Sequence, residues 1–153
     1  MNIAVFIPCI PPKGNAQQKG AFVRPGKGIR FFKKKAVVEA ERTWHALLYP
    51  HRPAVPFEGP VSLCLHLTYP WRKGEKKRNI AKWARMPIET RPDVENVAKG
   101  LIDVMATLLF FRDDSQIASL SLSKHYGDTP GLKIVLTSAL GETRDGKMEE
   151  VYR

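Results

Sequence analysis

The chain has 153 residues, 43% of them hydrophobic, with 25 Lys and Arg against 15 Asp and Glu, for a net charge of +10. That length and composition suit one globular domain with a real core and exclude a membrane span, since no apolar run approaches ~20 residues. The start, MNIAVFIPCIPPKG, has no basic leader region and is broken by Pro8 and Pro11, so a cytoplasmic protein without a membrane partner is expected. Cys9 and Cys64 lack metal-ligand spacing and read as reduced, buried thiols. The excess positive charge suits a polyanion, because Lys and Arg that neutralise phosphates release condensed counterions. Nucleic acid leads over anionic lipid, as neither a basic amphipathic helix nor a lipidation signal occurs.

Residues 2–7 are apolar and partly β-branched, a short strand ended by Pro8. PPKGNAQQKG reads as a loop, and AFVRPGKGIRFF as two short arms of a hairpin around RPGKG. From Lys33 the period changes: Val37, Ala40, Trp44 and Leu47/Leu48 recur every three or four residues, which predicts an amphipathic helix stopping before Pro50. The prolines at 50, 53, 56 and 60 form a stiff connector. VSLCLHLTY alternates cleanly, a strand with one strongly apolar face. After a basic stretch, a second helix is expected over 95–109, then a strand from Ile117 to Tyr126, the turn GDTPG and a last strand, LKIVLT. This order predicts an α+β fold, a single domain over 1–140 with a mixed β-sheet covered by two helices, and a loose polar tail over 141–153.

Asp93, Glu95, Asp103, Asp113 and Asp114 fall together in RPDVENVAKGLIDVMATLLFFRDDSQI, although the chain is basic. Val97, Ala98, Leu101, Val104, Met105 and Leu108 make one face of this helix; Asn96, Lys99 and Asp103 share the opposite stripe. Asp93 and Glu95 stand at the helix start, where the dipole favours negative charge, but Asp113 and Asp114 follow its end, where they gain nothing. If the chain turns back and a strand begins near Ser115, Asp114 approaches Asp93 and Glu95. Carboxylates brought together repel unless a cation sits among them, and oxygen-only ligands suit Mg²⁺ or Mn²⁺. Such an ion in a basic surface is the layout of a nuclease. The competing reading is structural: Asp93 caps the helix, Glu95 pairs with Lys99 four residues on, and Asp113-Asp114 is a polar turn.

Arg72, Lys73, Lys76, Lys77, Arg78, Lys82 and Arg85, interleaved with Trp71 and Trp83, precede the acidic segment and are candidate phosphate contacts. One tryptophan could stack on an unpaired base, or simply anchor the loop. Lys33, Lys34 and Lys35 head the first helix against its dipole, a further hint of phosphate contact. His45, His51, His66 and His125 share no motif and are read as structural or surface residues.

The acidic segment resembles the signature of the RusA-type Holliday junction resolvases: Asp-x-acid-Asn opening a helix, a Lys three residues after the Asn, an Asp further along, then Asp-Asp-x-Gln-Ile. The strand running into PPKGN is similar to that family's PPSxN. The resemblance implies a homodimeric, Mg²⁺-dependent endonuclease that cuts branched DNA, four-way junctions above all, by paired symmetric nicks. It places Asp93, Glu95 and Asp114 as catalytic metal-holding carboxylates with Asp113 beside them, Lys99 near the scissile phosphate, and Asn96 and Asp103 in support. Glu95 departs from the family's usual Asp by one methylene, and the basic insert is longer than in the shortest members. Two other readings stay open: a flap- or fork-selective nuclease on the same scaffold, and a non-catalytic DNA-binding protein.

Overall fold

The computed structural model describes residues 2–13 and 19–150. The central sheet has five strands in the order β1 (Asn2–Pro8), β7 (Gly131–Ser138), β4 (Val61–Tyr69), β6 (Ile117–Gly127), β5 (Arg85–Pro87). β4 and β6 run parallel and the other pairings are antiparallel, so the chain is α+β with a mixed sheet, as expected. A parallel pair needs a long crossover. Here it carries a short helix, α2 (Lys77–Lys82), then β5 and the long helix α3 (Val94–Thr107).

The alternation read in VSLCLHLTY decides which face is covered. Val61, Leu63, Leu65 and Leu67 of β4 and Leu132, Ile134 and Leu136 of β7 are buried on the helix side. Against them pack Trp44 and Leu48 of α1 (Lys35–Leu48), and Val97, Leu101 and Met105 of α3. Each such side chain contributes roughly 1.5–3 kcal/mol of hydrophobic stabilisation. The hairpin β2 (Lys19–Arg24) and β3 (Gly28–Lys33) forms its own two-stranded sheet.

Three features differ from the sequence reading. The basic stretch contains α2 and β5 rather than plain loop. The polar tail pairs into a hairpin of β8 (Leu140–Glu142) and β9 (Met148–Glu150), closed where Thr143 donates its amide to the Lys147 carbonyl at 2.8 Å. Gly146, at φ 82°, supplies the left-handed turn residue. The cysteines are free, but half-buried rather than buried. The loop assigned to PPKGNAQQKG falls largely outside the described residues, as does Asn15 of the PPKGN motif. No helix among the described residues is long and apolar enough to cross a membrane.

The end of α3 redirects the chain towards the site. Phe110 donates its amide to the Met105 carbonyl at 3.0 Å and Leu109 to Ala106 at 3.0 Å, a Schellman-type stop with Leu109 at φ 59°. Phe110 and Phe111 then enter the core, and Phe57 donates its amide to the Phe110 carbonyl at 2.9 Å. That return sends residues 113–116 back along α3.

Candidate active site

An open cleft of about 660 Å³ lies between α3 and β6. Its walls are Val94, Ala98 and Ile102 on the helix and Ile117, Leu120 and Leu122 on the strand; its polar groups are Glu95, Lys99, Asp103 and Asp114. The cleft exists because the outer edge of β6 has no strand beside it before His125, among the described residues. Among the described residues, Lys99 is the single cation lining the cleft, alongside three carboxylates. The pair that helical spacing offers between Glu95 and Lys99 is not formed.

Asp93 stands outside the residues lining the cleft, at the N-cap of α3. Its side chain accepts no backbone amide of the helix and instead accepts from the Asn96 amide nitrogen at 3.3 Å. Asp113 does cap: its carboxylate accepts the Ser115 amide at 2.9 Å at the head of a 3-10 turn over Asp114–Gln116. The Ser115 hydroxyl and amide hold that carboxyl below the usual range. So of two adjacent acids, Asp113 is bound into the turn and Asp114 faces the cleft.

Two residues not assigned from sequence hold this arrangement. Gln116 donates to the carbonyls of Phe57 at 3.1 Å and Gly59 at 2.8 Å, and accepts from the amides of Arg112 at 2.7 Å and Asp113 at 3.2 Å. It fastens the turn carrying Asp114 to the segment that enters β4. Lys124 of β6 donates to the Pro92 carbonyl at 2.8 Å and also to that of Thr90, fixing the approach to Asp93. The sequence did carry a signal for Lys124, since it interrupts the apolar row of Leu120 and Leu122 where the strand pattern asks for another hydrophobe.

The basic residues divide by what they touch. Glu75, with its side chain buried, accepts from Asn79 at 2.6 Å, Arg72 at 2.7 Å and the Lys76 amide at 3.1 Å. These bonds, Asn79's foremost, hold its carboxyl below the usual range. The lone acid of the basic stretch is therefore its organising residue, and Arg72 is committed to it. Lys76, Lys77, Arg78, Lys82 and Arg85 are exposed on and around α2, with the Lys82 ammonium 4.8 Å from the centre of the Trp83 ring. Trp71 anchors: its indole donates to Asp128 at 2.8 Å and stacks on Tyr126 with ring centres 6.3 Å apart. Lys33 pairs with Glu41 at 2.6 Å and Lys35 with Glu39 at 3.7 Å, while Lys34 takes the N-cap position of α1 without a capping side-chain bond. His66 bonds the Ser123 hydroxyl and lies 3.2 Å from the Cys64 sulfur, a structural role.

The donor chemistry suits a hard cation, because the acids in and beside the cleft offer oxygen alone. Among the described residues, no three His, Cys, Asp or Glu side chains converge to hold one.

The sequence profile of the family described as Endodeoxyribonuclease RusA matches residues 10–137. A protein of Lactococcus phage r1t named "Crossover junction endodeoxyribonuclease rusA" is 31% identical over 121 residues, covering 79% of this chain and 86% of that protein. "Uncharacterized protein YqaN" of Bacillus subtilis (strain 168) is 28% identical over 129 residues, 82% of this chain and 84% of its own length. The match spans four of the five sheet strands, both long helices and the cleft between α3 and β6, and on it the chain belongs to the RusA endodeoxyribonuclease family.

Proposed function

We propose that this chain is a Mg²⁺-dependent, structure-selective endonuclease that resolves four-way DNA junctions by paired nicks, acting as a homodimer in recombination and repair. The observation that supports it best is the cleft that Glu95, Asp114 and Lys99 line together in an otherwise basic protein. The name of the phage relative supports the choice of junction over other DNA.

In this reading Asp93, Glu95 and Asp114 would hold the ion, Mn²⁺ being the alternative. A cation held there would supply Lewis acidity at the scissile phosphate and would acidify the attacking water. Lys99 stabilises the negative charge that develops on the phosphate oxygens. Asn96 orients Asp93 through their hydrogen bond, and Asp103 adds negative potential to the same cleft. Lys76, Lys77, Arg78, Lys82 and Arg85 grip backbone phosphates away from the cut. Two opposed nicks call for two sites related by a two-fold axis, hence the homodimer.

The test compares labelled four-way junction, flap and linear duplex with Mg²⁺, Mn²⁺ or EDTA. Paired nicks in the junction, dependent on metal, are expected. A flap or fork cut faster than the junction replaces the substrate, and binding without cleavage in every metal removes the enzyme reading. Asp93→Asn is expected to abolish nicking while junction affinity in EDTA stays equal or rises, because a charge that repels phosphate is gone. Lost affinity instead makes Asp93 structural.

A further inference from the structure

A second concavity, about 380 Å³ and separate from the acidic cleft, lies where β4 ends. Its wall is aromatic. Tyr69 and Tyr126 are register partners on the parallel strands β4 and β6, and Trp71 stacks on Tyr126. The Trp71 indole is fixed by its bond to Asp128, so this wall is set before any ligand arrives. Facing it are Lys13, Lys73 and Arg91, all exposed, and among the described residues none of these cations pairs with a carboxylate. Tyr69 is 2% exposed, and among the described residues its hydroxyl finds no hydrogen-bond partner.

Three unneutralised cations call for an anion, and a rigid aromatic wall calls for a flat ring. A nucleotide carries both. Its volume range is right, since small-ligand sites occupy roughly 300–1,000 Å³. A duplex cannot use such a wall, because its bases cover one another; a nucleotide must first leave the stack, and this costs least where pairing is already broken. The groove also adjoins the candidate site: Arg91 and Pro92 line it, and Asp93 is the next residue.

We propose that this groove takes a single unstacked nucleotide of the strand being cut, its base packed on the Trp71–Tyr126 wall and its phosphates between Lys13, Lys73 and Arg91. The identity of that strand rests on the nuclease reading above; the groove's preference for a base does not. Holding one nucleotide out of the stack beside Asp93 would favour DNA already open at a branch over continuous duplex.

The test is run in EDTA, without cleavage, by fluorescence anisotropy with labelled (dT)4 and a labelled tetramer of abasic deoxyribose phosphates of equal charge. Tighter binding of (dT)4 by at least about fivefold is expected from stacking of one base. Photocrosslinking with a 4-thiothymidine tetramer, mapped by mass spectrometry, needs no variant and is expected to mark Tyr69, Trp71 or Tyr126. Lys73→Ala with Arg91→Ala is expected to weaken both tetramers while preserving their ratio. Equal affinity for the two tetramers, or crosslinks confined to residues elsewhere, overturns the proposal and leaves a phosphate-only surface. Base-dependent binding in a protein that cuts no DNA in any metal refutes the nuclease reading and leaves the groove; junction cutting with equal tetramer affinities does the reverse.

Discussion

Asp113 accepts the Ser115 amide and so caps its turn, whereas Asp93, at the same position of α3, accepts no backbone amide. Capping is the ordinary use of an Asp at a helix start, and it leaves the first turn of α3 without its usual partner. The carboxylate of Asp93 is held by Asn96 instead, which keeps it at the positive end of the helix dipole. Lys99 completes the set, and its value to the reaction is testable apart from binding. Lys99→Ala is expected to lower the single-turnover nicking rate by roughly 10²–10³-fold, the usual effect of removing one preorganised donor. Junction affinity in EDTA should change little. A parallel fall in affinity and rate would place Lys99 among the general phosphate contacts.

At the scale of elements, the site depends on how α3 ends and on what fastens the return. Leu109 sits in the left-handed region that glycine tolerates and a side chain does not, and it is 54% exposed. Leu109→Gly is therefore expected to stabilise the fold by about 1 kcal/mol, read as a higher urea midpoint at unchanged m-value. Gln116 is the opposite case. Gln116→Ala removes its bonds to two carbonyls and two amides, and should cost about 1–2 kcal/mol in the same titration. Nicking should fall further than stability requires, since Asp114 loses its fixed turn. Both the helix stop and the clamp were hard to read in TLLFFRDDSQI. No glycine marks the stop, and the two carbonyls that Gln116 bonds, of Phe57 and Gly59, lie too far along the chain for any local pattern.

For the whole molecule, a net charge of +10 is distributed unevenly, with an acidic cleft set into a basic exterior. Binding to DNA should weaken steeply with salt because counterions are released at each phosphate contact. Lys77 is exposed on α2, while Lys33 is already paired with Glu41. Lys77→Ala is expected to reduce the slope of log K against log salt by about 1, and Lys33→Ala by clearly less. Equal reductions would show that the Lys33–Glu41 pair gives way to phosphate.

Sequence by itself determined the periodic elements, because alternation in VSLCLHLTY and the three- and four-residue spacing in α1 and α3 are local properties of the chain. It also determined the charge balance and the order of acids, lysine and Asp-Asp-x-Gln that marks the family. Only the tertiary structure decided which acids share a cleft. Asp113 and Asp114 are indistinguishable by type and adjacent in sequence, yet the turn binds one and presents the other. It likewise decided that Glu75 organises the basic loop, that Trp71 anchors it and that Lys124 secures the approach to Asp93. These outcomes depend on strand register and on bonds between distant residues, which no window along the chain contains.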